Sequence, residues 1–216
     1  LLEALQIAPD TWPIARSSAA RQRFQVSDYY YQRRISLFLG GTTVGTIYLG
    51  TSPGFQKVHA RNADENTIFS IAPSTFEVPA VNGAWLEPRL LQVRTPLAID
   101  SDLYNLYFEN GQWLSRTGGT PDEAELAKLL TALKTVRVEG VANGDLQRDL
   151  STAEADLVLN VQSLAGNVTL QLLTLRGTHY IHSSEFPLFF QLNAKDYKRL
   201  AGVDALLLNG ETHGAR

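Results

Sequence analysis

Period-two alternation dominates the chain. In Ile35-Ser36-Leu37-Phe38-Leu39 the odd positions are all apolar, Gly40-Gly41 breaks the run, and 43–49 resumes it. That is the pattern of a β-hairpin closed by a glycine turn. In Asn167-Val168-Thr169-Leu170-Gln171-Leu172 the even positions are apolar instead. Strand-like runs are predicted at 34–39, 43–49, 55–61 and 67–71, and again at 156–162, 167–173, 178–183 and 187–192. Segments 104–108 and 113–114 flank Glu109-Asn110-Gly111-Gln112, a second hairpin around Asn-Gly. One segment changes period. Leu126, Leu129, Leu130 and Leu133 recur at i, i+3, i+4 and i+7, the buried stripe of a helix over 120–134. Thr120 is placed to cap it, Pro121 suits its first turn, and Glu123 completes a Thr-x-x-Glu capping box. Lys128 and Lys134 lie toward the negative end of its dipole.

The runs repeat in order and spacing. Leu1-Leu2-Glu3-Ala4-Leu5 matches Leu129-Leu130-Thr131-Ala132-Leu133, and four strand-like runs follow each. The closing segments Phe69-Ser70-Ile71-Ala72-Pro73-Ser74-Thr75-Phe76 and Phe190-Gln191-Leu192-Asn193-Ala194-Lys195-Asp196-Tyr197 align, as do Val58-His59 and Ile181-His182. The expected architecture is α+β: two related copies of a curled antiparallel sheet, with helices packed on one face. The first copy spans 1–94. The second spans 95–216 and opens with the hairpin and the 120–134 helix. Segment 93–102 carries Pro96 and no clear pattern, which suits a boundary. Leu1–Leu5 reads as the last turns of a helix whose start is missing, so the first copy is expected to be truncated at its N-terminus.

Composition narrows the classes. The 216 residues are 44% hydrophobic and 19% charged, with a formal net charge of −3. These values suit a folded chain rather than a disordered, fibrous or coiled-coil one. A nucleic-acid binder usually carries a basic excess, absent here. With no Cys, disulfides, thiolate metal sites and Cys nucleophiles are excluded together. No run of about eighteen apolar residues is long enough to span a membrane, and no signal peptide opens the chain. The chain begins at Leu1 and contains no Met, so it reads as a processed or trimmed piece from which an anchor could have been removed.

Candidate chemistry is thin. Gly50-Thr51-Ser52-Pro53-Gly54 matches the Gly-x-Ser-x-Gly nucleophile elbow, which needs a strand before and a helix after. The alternation of 55–61 predicts another strand instead, so a hairpin turn is the expected reading. The same stretch lacks the Lys-Ser or Lys-Thr pair of a phosphate loop. His179 and His182 would share a face on a helix, but 178–183 reads as a strand, where an odd separation puts them on opposite faces. His59 and His182 share a repeat position, and His213 lies in the C-terminal tail. Tyr29-Tyr30-Tyr31 precedes Arg33-Arg34, a short pairing of aromatics with cations. Trp12, Trp85 and Trp113 are expected as core anchors of helix–sheet packing. Asp145, Asp149, Glu154 and Asp156 fit no calcium loop and read as a solvated linker. Asn167-Val168-Thr169 is a glycosylation sequon inside a predicted strand. No catalytic, cofactor-binding or metal-ligating residue is assigned, and no cofactor is expected.

Phe24-Gln25-Val26, the 35–39 run and Tyr48-Leu49-Gly50-Thr51-Ser52-Pro53-Gly54-Phe55-Gln56-Lys57-Val58-His59-Ala60-Arg61 resemble the bacterial domain-of-unknown-function 4340 family. Trp85-Leu86-Glu87-Pro88-Arg89-Leu90-Leu91 resembles its Trp-Leu-x-x-x-Leu-Leu segment. Asn110-Gly111-Gln112-Trp113 and the following helix resemble the next segment. The resemblance covers residues 1–140 best and brings no catalytic residue with it. It implies an extracytoplasmic protein of a Gram-negative envelope, held by one N-terminal membrane helix and encoded beside gliding-motility-type ABC-transporter genes. The expected function is therefore a non-enzymatic periplasmic interaction domain, tethered to the inner membrane and contacting transporter subunits. The alternative is a module that binds a small molecule or glycan between the two copies, and a weaker rival is a hydrolase using Ser52.

Overall fold

A computed structural model of the chain describes residues 12–54, 56–72 and 75–211. The expected helix end at Leu1–Leu5, Phe55 and His213 lie outside the described residues. The chain divides into two compact units, Leu1–Trp85 and Leu86–Arg216. Every paired strand in both is antiparallel, and all three sheets are open.

In the first unit Ser17 caps α1 (Ser18–Arg23), its hydroxyl accepting from the Ala20 amide at 3.2 Å. A two-stranded ribbon follows, β1 (Val26–Ser27) with β2 (Tyr30–Tyr31). Then comes a four-stranded meander in chain order: β3 (Arg33–Leu39), β4 (Thr42–Leu49), β5 (Val58–Asn62) and β6 (Phe69–Ile71). The β3–β4 turn places both glycines at positive φ, +56° at Gly40 and +84° at Gly41, where side chains are strained. One face of the meander buries Leu49, Val58, Ala60 and Ile71, with Ile35, Ile47 and Phe69 packed beside them. The other face lies against Ala20, Val26 and Ile68 through Tyr48.

The second unit is built on an eight-stranded sheet in the order β10-β14-β13-β12-β11-β7-β8-β9. The strands are β7 (Pro96–Asp100), β8 (Asn105–Glu109), β9 (Gln112–Ser115), β10 (Val138–Val141), β11 (Leu157–Ser163), β12 (Gly166–Leu175), β13 (Thr178–Ser183) and β14 (Phe189–Leu192). The helices are α2 (Glu123–Thr135), α3 (Gly144–Thr152), α4 (Ala194–Ala201) and α5 (Ala205–Leu208). Register lines up two apolar rows on one face of the sheet: Leu106 pairs with Ile99, Ile99 with Val161 and Val161 with Val168, while Leu157 pairs with Leu172, Leu172 with Ile181 and Ile181 with Phe190. Leu129 and Leu133 of α2, Leu200 of α4 and Leu208 of α5 are buried in one cluster with those rows.

Several expectations are corrected. The helices of this unit do not all cover one face. Leu150 of α3 is buried with Leu173 and Tyr180, which alternate with the Leu172 and Ile181 of the main core and so point to the opposite side. The patternless segment 93–102 contains β7, an interior strand flanked by β11 and β8. Pro96 is tolerated because it is the strand's first residue, beside a register shift. Leu91 and Val93 are buried in the second unit's core. The cap of α2 is Asp122, not Thr120; its carboxylate accepts from the Glu125 amide at 2.9 Å.

Both units contain a four-strand meander, β3–β6 and β11–β14, but two related copies are not confirmed. Val58 pairs with Ile71, whereas Ile181, aligned with Val58, pairs with Phe190 rather than with Leu192. The two meanders are thus offset by two residues in the alignment that suggested the repeat.

Candidate functional site

The Gly-x-Ser-x-Gly stretch forms a loop between β4 and β5, and a strand follows it, as the alternation requires. A Cβ on Gly50 would lie 1.9 Å from the Phe24 carbonyl oxygen, so glycine is needed there for close backbone approach. The Ser52 hydroxyl lies 2.6 Å from the Gly54 carbonyl oxygen and 2.8 Å from that of Lys57, and it accepts from the Gly54 amide at 3.2 Å. It closes the loop on itself. The nearby His59 turns to Thr51 instead, with Nδ1 donating to the Thr51 carbonyl at 2.8 Å, and its ring stacks on Phe24 at 4.2 Å. Burial holds its pKa below the ordinary histidine value.

The two β13 histidines occupy opposite faces, as their spacing predicts. His179 stacks on Tyr197 of α4 at 3.9 Å and bonds Thr174 through Nδ1 at 3.0 Å. His182 faces Phe189 at 4.7 Å, and burial lowers its pKa as well. Among the described residues no group of three or more His, Cys, Asp or Glu is arranged to hold a metal ion.

The acidic stretch is not a linker. Asp145 and Asp149 belong to α3, which Asn143 caps, and they pair with Arg148 and Arg176. Asp156 accepts from the Tyr197 hydroxyl at 2.7 Å. Asn167 is exposed on β12. The tryptophans also depart from expectation. Trp113 packs against the core, but Trp12 is 87% exposed and Trp85 52% exposed.

The aromatic and basic residues at 29–34 do converge with Trp85. Tyr31, Arg33, Arg34, Val78, Pro79 and Trp85 line an open groove of about 630 Å³ in the first unit. Arg33 Nε donates to the Val78 carbonyl at 3.2 Å and Trp85 Nε1 to that of Pro79 at 3.0 Å, which fixes the 78–85 wall to the groove. The Arg34 side chain makes no hydrogen bond or ion pair with any described residue and is exposed. Behind Tyr31 the stack continues through Tyr48, at 5.2 Å, to Arg61, whose guanidinium lies 4.9 Å from the Tyr48 ring centre.

Arg61 itself is 1% exposed and was not marked by the sequence. Its Nε donates to the Val26 carbonyl at 2.7 Å, Nη1 to those of Asn62, Ala63 and Glu65, and Nη2 to the Asp28 carboxylate. This buried guanidinium positions the 26–31 segment beside the groove, its bonds committed to the fold.

A second groove of about 580 Å³ runs between α2 and α4, lined by Glu125, Lys128, Lys195, Lys198, Arg199 and Val203. Glu125 is buried and accepts from Lys128 at 2.7 Å and from the Asp204 amide at 2.8 Å; the Lys128 ammonium first, then that amide, holds its carboxyl below the usual range. Arg199 reaches Asp196 at 3.4 Å. Sequence reading missed this groove because α4 was not recognised as a helix; the Lys195, Lys198 and Arg199 spacing was the available signal. Neither groove brings together a nucleophile, a base and a group to orient it. No family model matches the chain, and neither the curated proteins nor the solved structures include a match to it.

Proposed function

We propose that this is a non-enzymatic extracytoplasmic interaction domain, an accessory component of an ABC-transporter-like envelope complex. In this reading it is periplasmic and held at the inner membrane by a helix outside residues 1–216. The observation that carries the interaction reading is where the side chains with chemical potential go. Ser52, His59, His179, Arg61, Glu125 and Asp196 all engage neighbours that hold the fold, while large apolar and aromatic side chains such as Trp12, Tyr29, Phe38 and Leu39 stand in solvent. Exposed apolar groups suit contact with a partner better than turnover of a substrate. The envelope setting and the transporter partner rest on the family resemblance.

A second reading, recognition of a small molecule or glycan, draws on the groove formed by Tyr31, Arg33 and Trp85. An aromatic on each wall with a cation between is suited to a ring carrying negative charge.

Complementation separates these readings. A strain whose full-length protein lacks residues 1–216 should lose the function of the transporter complex. Ser52→Ala should restore it fully, and so should Trp85→Ala if contact rather than ligand capture is the task. Loss of function in a folded Ser52→Ala protein would overturn the non-enzymatic reading. Loss in folded Trp85→Ala alone would favour the ligand.

A further inference from the structure

The β3–β4 hairpin carries apolar side chains that its own sheet does not use. Ile35 packs on the first unit's core, but the same alternating row runs on to Leu37 and Leu39, and Leu39 is 75% exposed. Phe38, on the other side of the strand, is 65% exposed. Val44 is also exposed and sits in the bulge where pairing shifts from Leu37–Gly45 to Phe38–Thr43. β5 pairs with β4 only at Ile47, Tyr48 and Leu49, so beyond Thr46 the hairpin stands alone, two strands wide. Four residues from Gly45 to Gly41 at roughly 3.3 Å each give it a reach of about 13 Å. Residues 35–47 include no charged side chain. At the base of the ribbon lie Arg33, the unpartnered Arg34 and the exposed Tyr29, Tyr30 and Tyr31.

We propose that this tip inserts into the surface of a lipid bilayer bearing anionic headgroups, to the depth of the headgroup–acyl boundary. Apolar side chains on both sides of a narrow ribbon suit a medium that surrounds it, whereas a groove on a protein would receive one side. Back from the apolar tip along β3 come Arg34 and then Arg33, cations suited to phosphate level, and the tyrosines of 29–31 precede them in the chain. The outer edges of the ribbon carry backbone groups with no strand partner, which cannot enter hydrocarbon, so insertion stops with residues 38–44. The inference concerns lipid and is independent of which protein the domain contacts.

Sedimentation of the purified chain with vesicles tests it. The chain should bind vesicles of phosphatidylcholine containing phosphatidylglycerol, and bind more weakly to pure phosphatidylcholine. Combined Phe38→Ser, Leu39→Ser and Val44→Ser substitutions should weaken binding at least about tenfold with an unchanged circular dichroism spectrum. Arg34→Gln should weaken it only on the anionic vesicles. In a Leu39→Trp variant, the emission of the introduced indole should shift to the blue and be quenched by lipids spin-labelled near the headgroup. The proposal is overturned if the wild-type chain does not sediment, if the triple variant sediments equally, or if the introduced indole is unquenched while binding persists. Concentration-dependent dimerisation lost in the triple variant, without vesicle binding, would overturn it in favour of a second copy as the occupant.

Discussion

Arg61 shows how much of the first unit depends on one residue. It is a buried cation whose donors reach four backbone carbonyls and one carboxylate. Lysine supplies a compact ammonium and cannot span that set. Arg61→Lys is expected to cost about 3 kcal/mol in urea denaturation, because the carbonyls stay buried without donors; unchanged stability would contradict the assignment. Nothing in the alternation of 58–61 distinguishes this arginine from a surface one, since burial came from the segment 24–31 folding over it. Tyr104 is the opposite case. Its hydroxyl is buried with no hydrogen-bond partner among the described residues, and burial pushes its pKa well up. Tyr104→Phe should leave thermal stability unchanged or raise it by up to about 1 kcal/mol. His59 and His182 titrate below the 6.5 of the unfolded chain because burial disfavours the imidazolium. As pH falls, the unfolded state therefore takes up protons first. Their contribution is intact above pH 6.5 and is lost as pH falls through the folded values. Melting temperature should drop as pH falls below 6.5, and a His59→Gln, His182→Gln double variant should lose most of that slope whatever its absolute stability.

At the scale of elements, period-two segments were legible and short or polar ones were not. β3, β4, β12 and β13 lie where the alternation predicts, and the Asn110-Gly111 hairpin forms between β8 and β9. β7 escaped notice because Pro96 opens it and only Ala98 and Ile99 are fully buried. α3 escaped because it buries a single side chain, Leu150, beneath a polar surface, too narrow a stripe for a periodic signal. The start of α2 was misread by two residues. The Thr-x-x-Glu pattern was present, but Asp122 offers an equally good cap, and its amide donates to the Leu207 carbonyl at 2.9 Å, a partner no local pattern reveals. Asp122→Ala is expected to destabilise the chain by about 1 kcal/mol and Thr120→Ala by less than about 0.5 kcal/mol, measured by equilibrium unfolding. The reverse order would restore Thr120 as the cap. The candidate groove was half legible: Tyr31 and the arginines stood out in sequence, while Trp85 reached them only through the fold.

For the whole molecule, the two units differ in how much core they own. The second has a continuous buried cluster from Leu91 to Leu208, closed by α2, α4 and α5. The fragment 86–216 is therefore expected to fold cooperatively by itself, with a single thermal transition; a molten fragment lacking near-ultraviolet dichroism would show that its core is incomplete. Function was the least legible level, because the residues with reactive groups are occupied in building the fold. The claim at the centre of this account is that the domain acts by contact within an envelope complex. The most direct measurement is affinity capture of the full-length protein after mild crosslinking in its native cells, against a version with residues 1–216 replaced by an unrelated domain. The account expects ABC-transporter subunits to be recovered with the native domain and lost with the replacement. Recovery of nothing specific, or equal recovery with both, would contradict it.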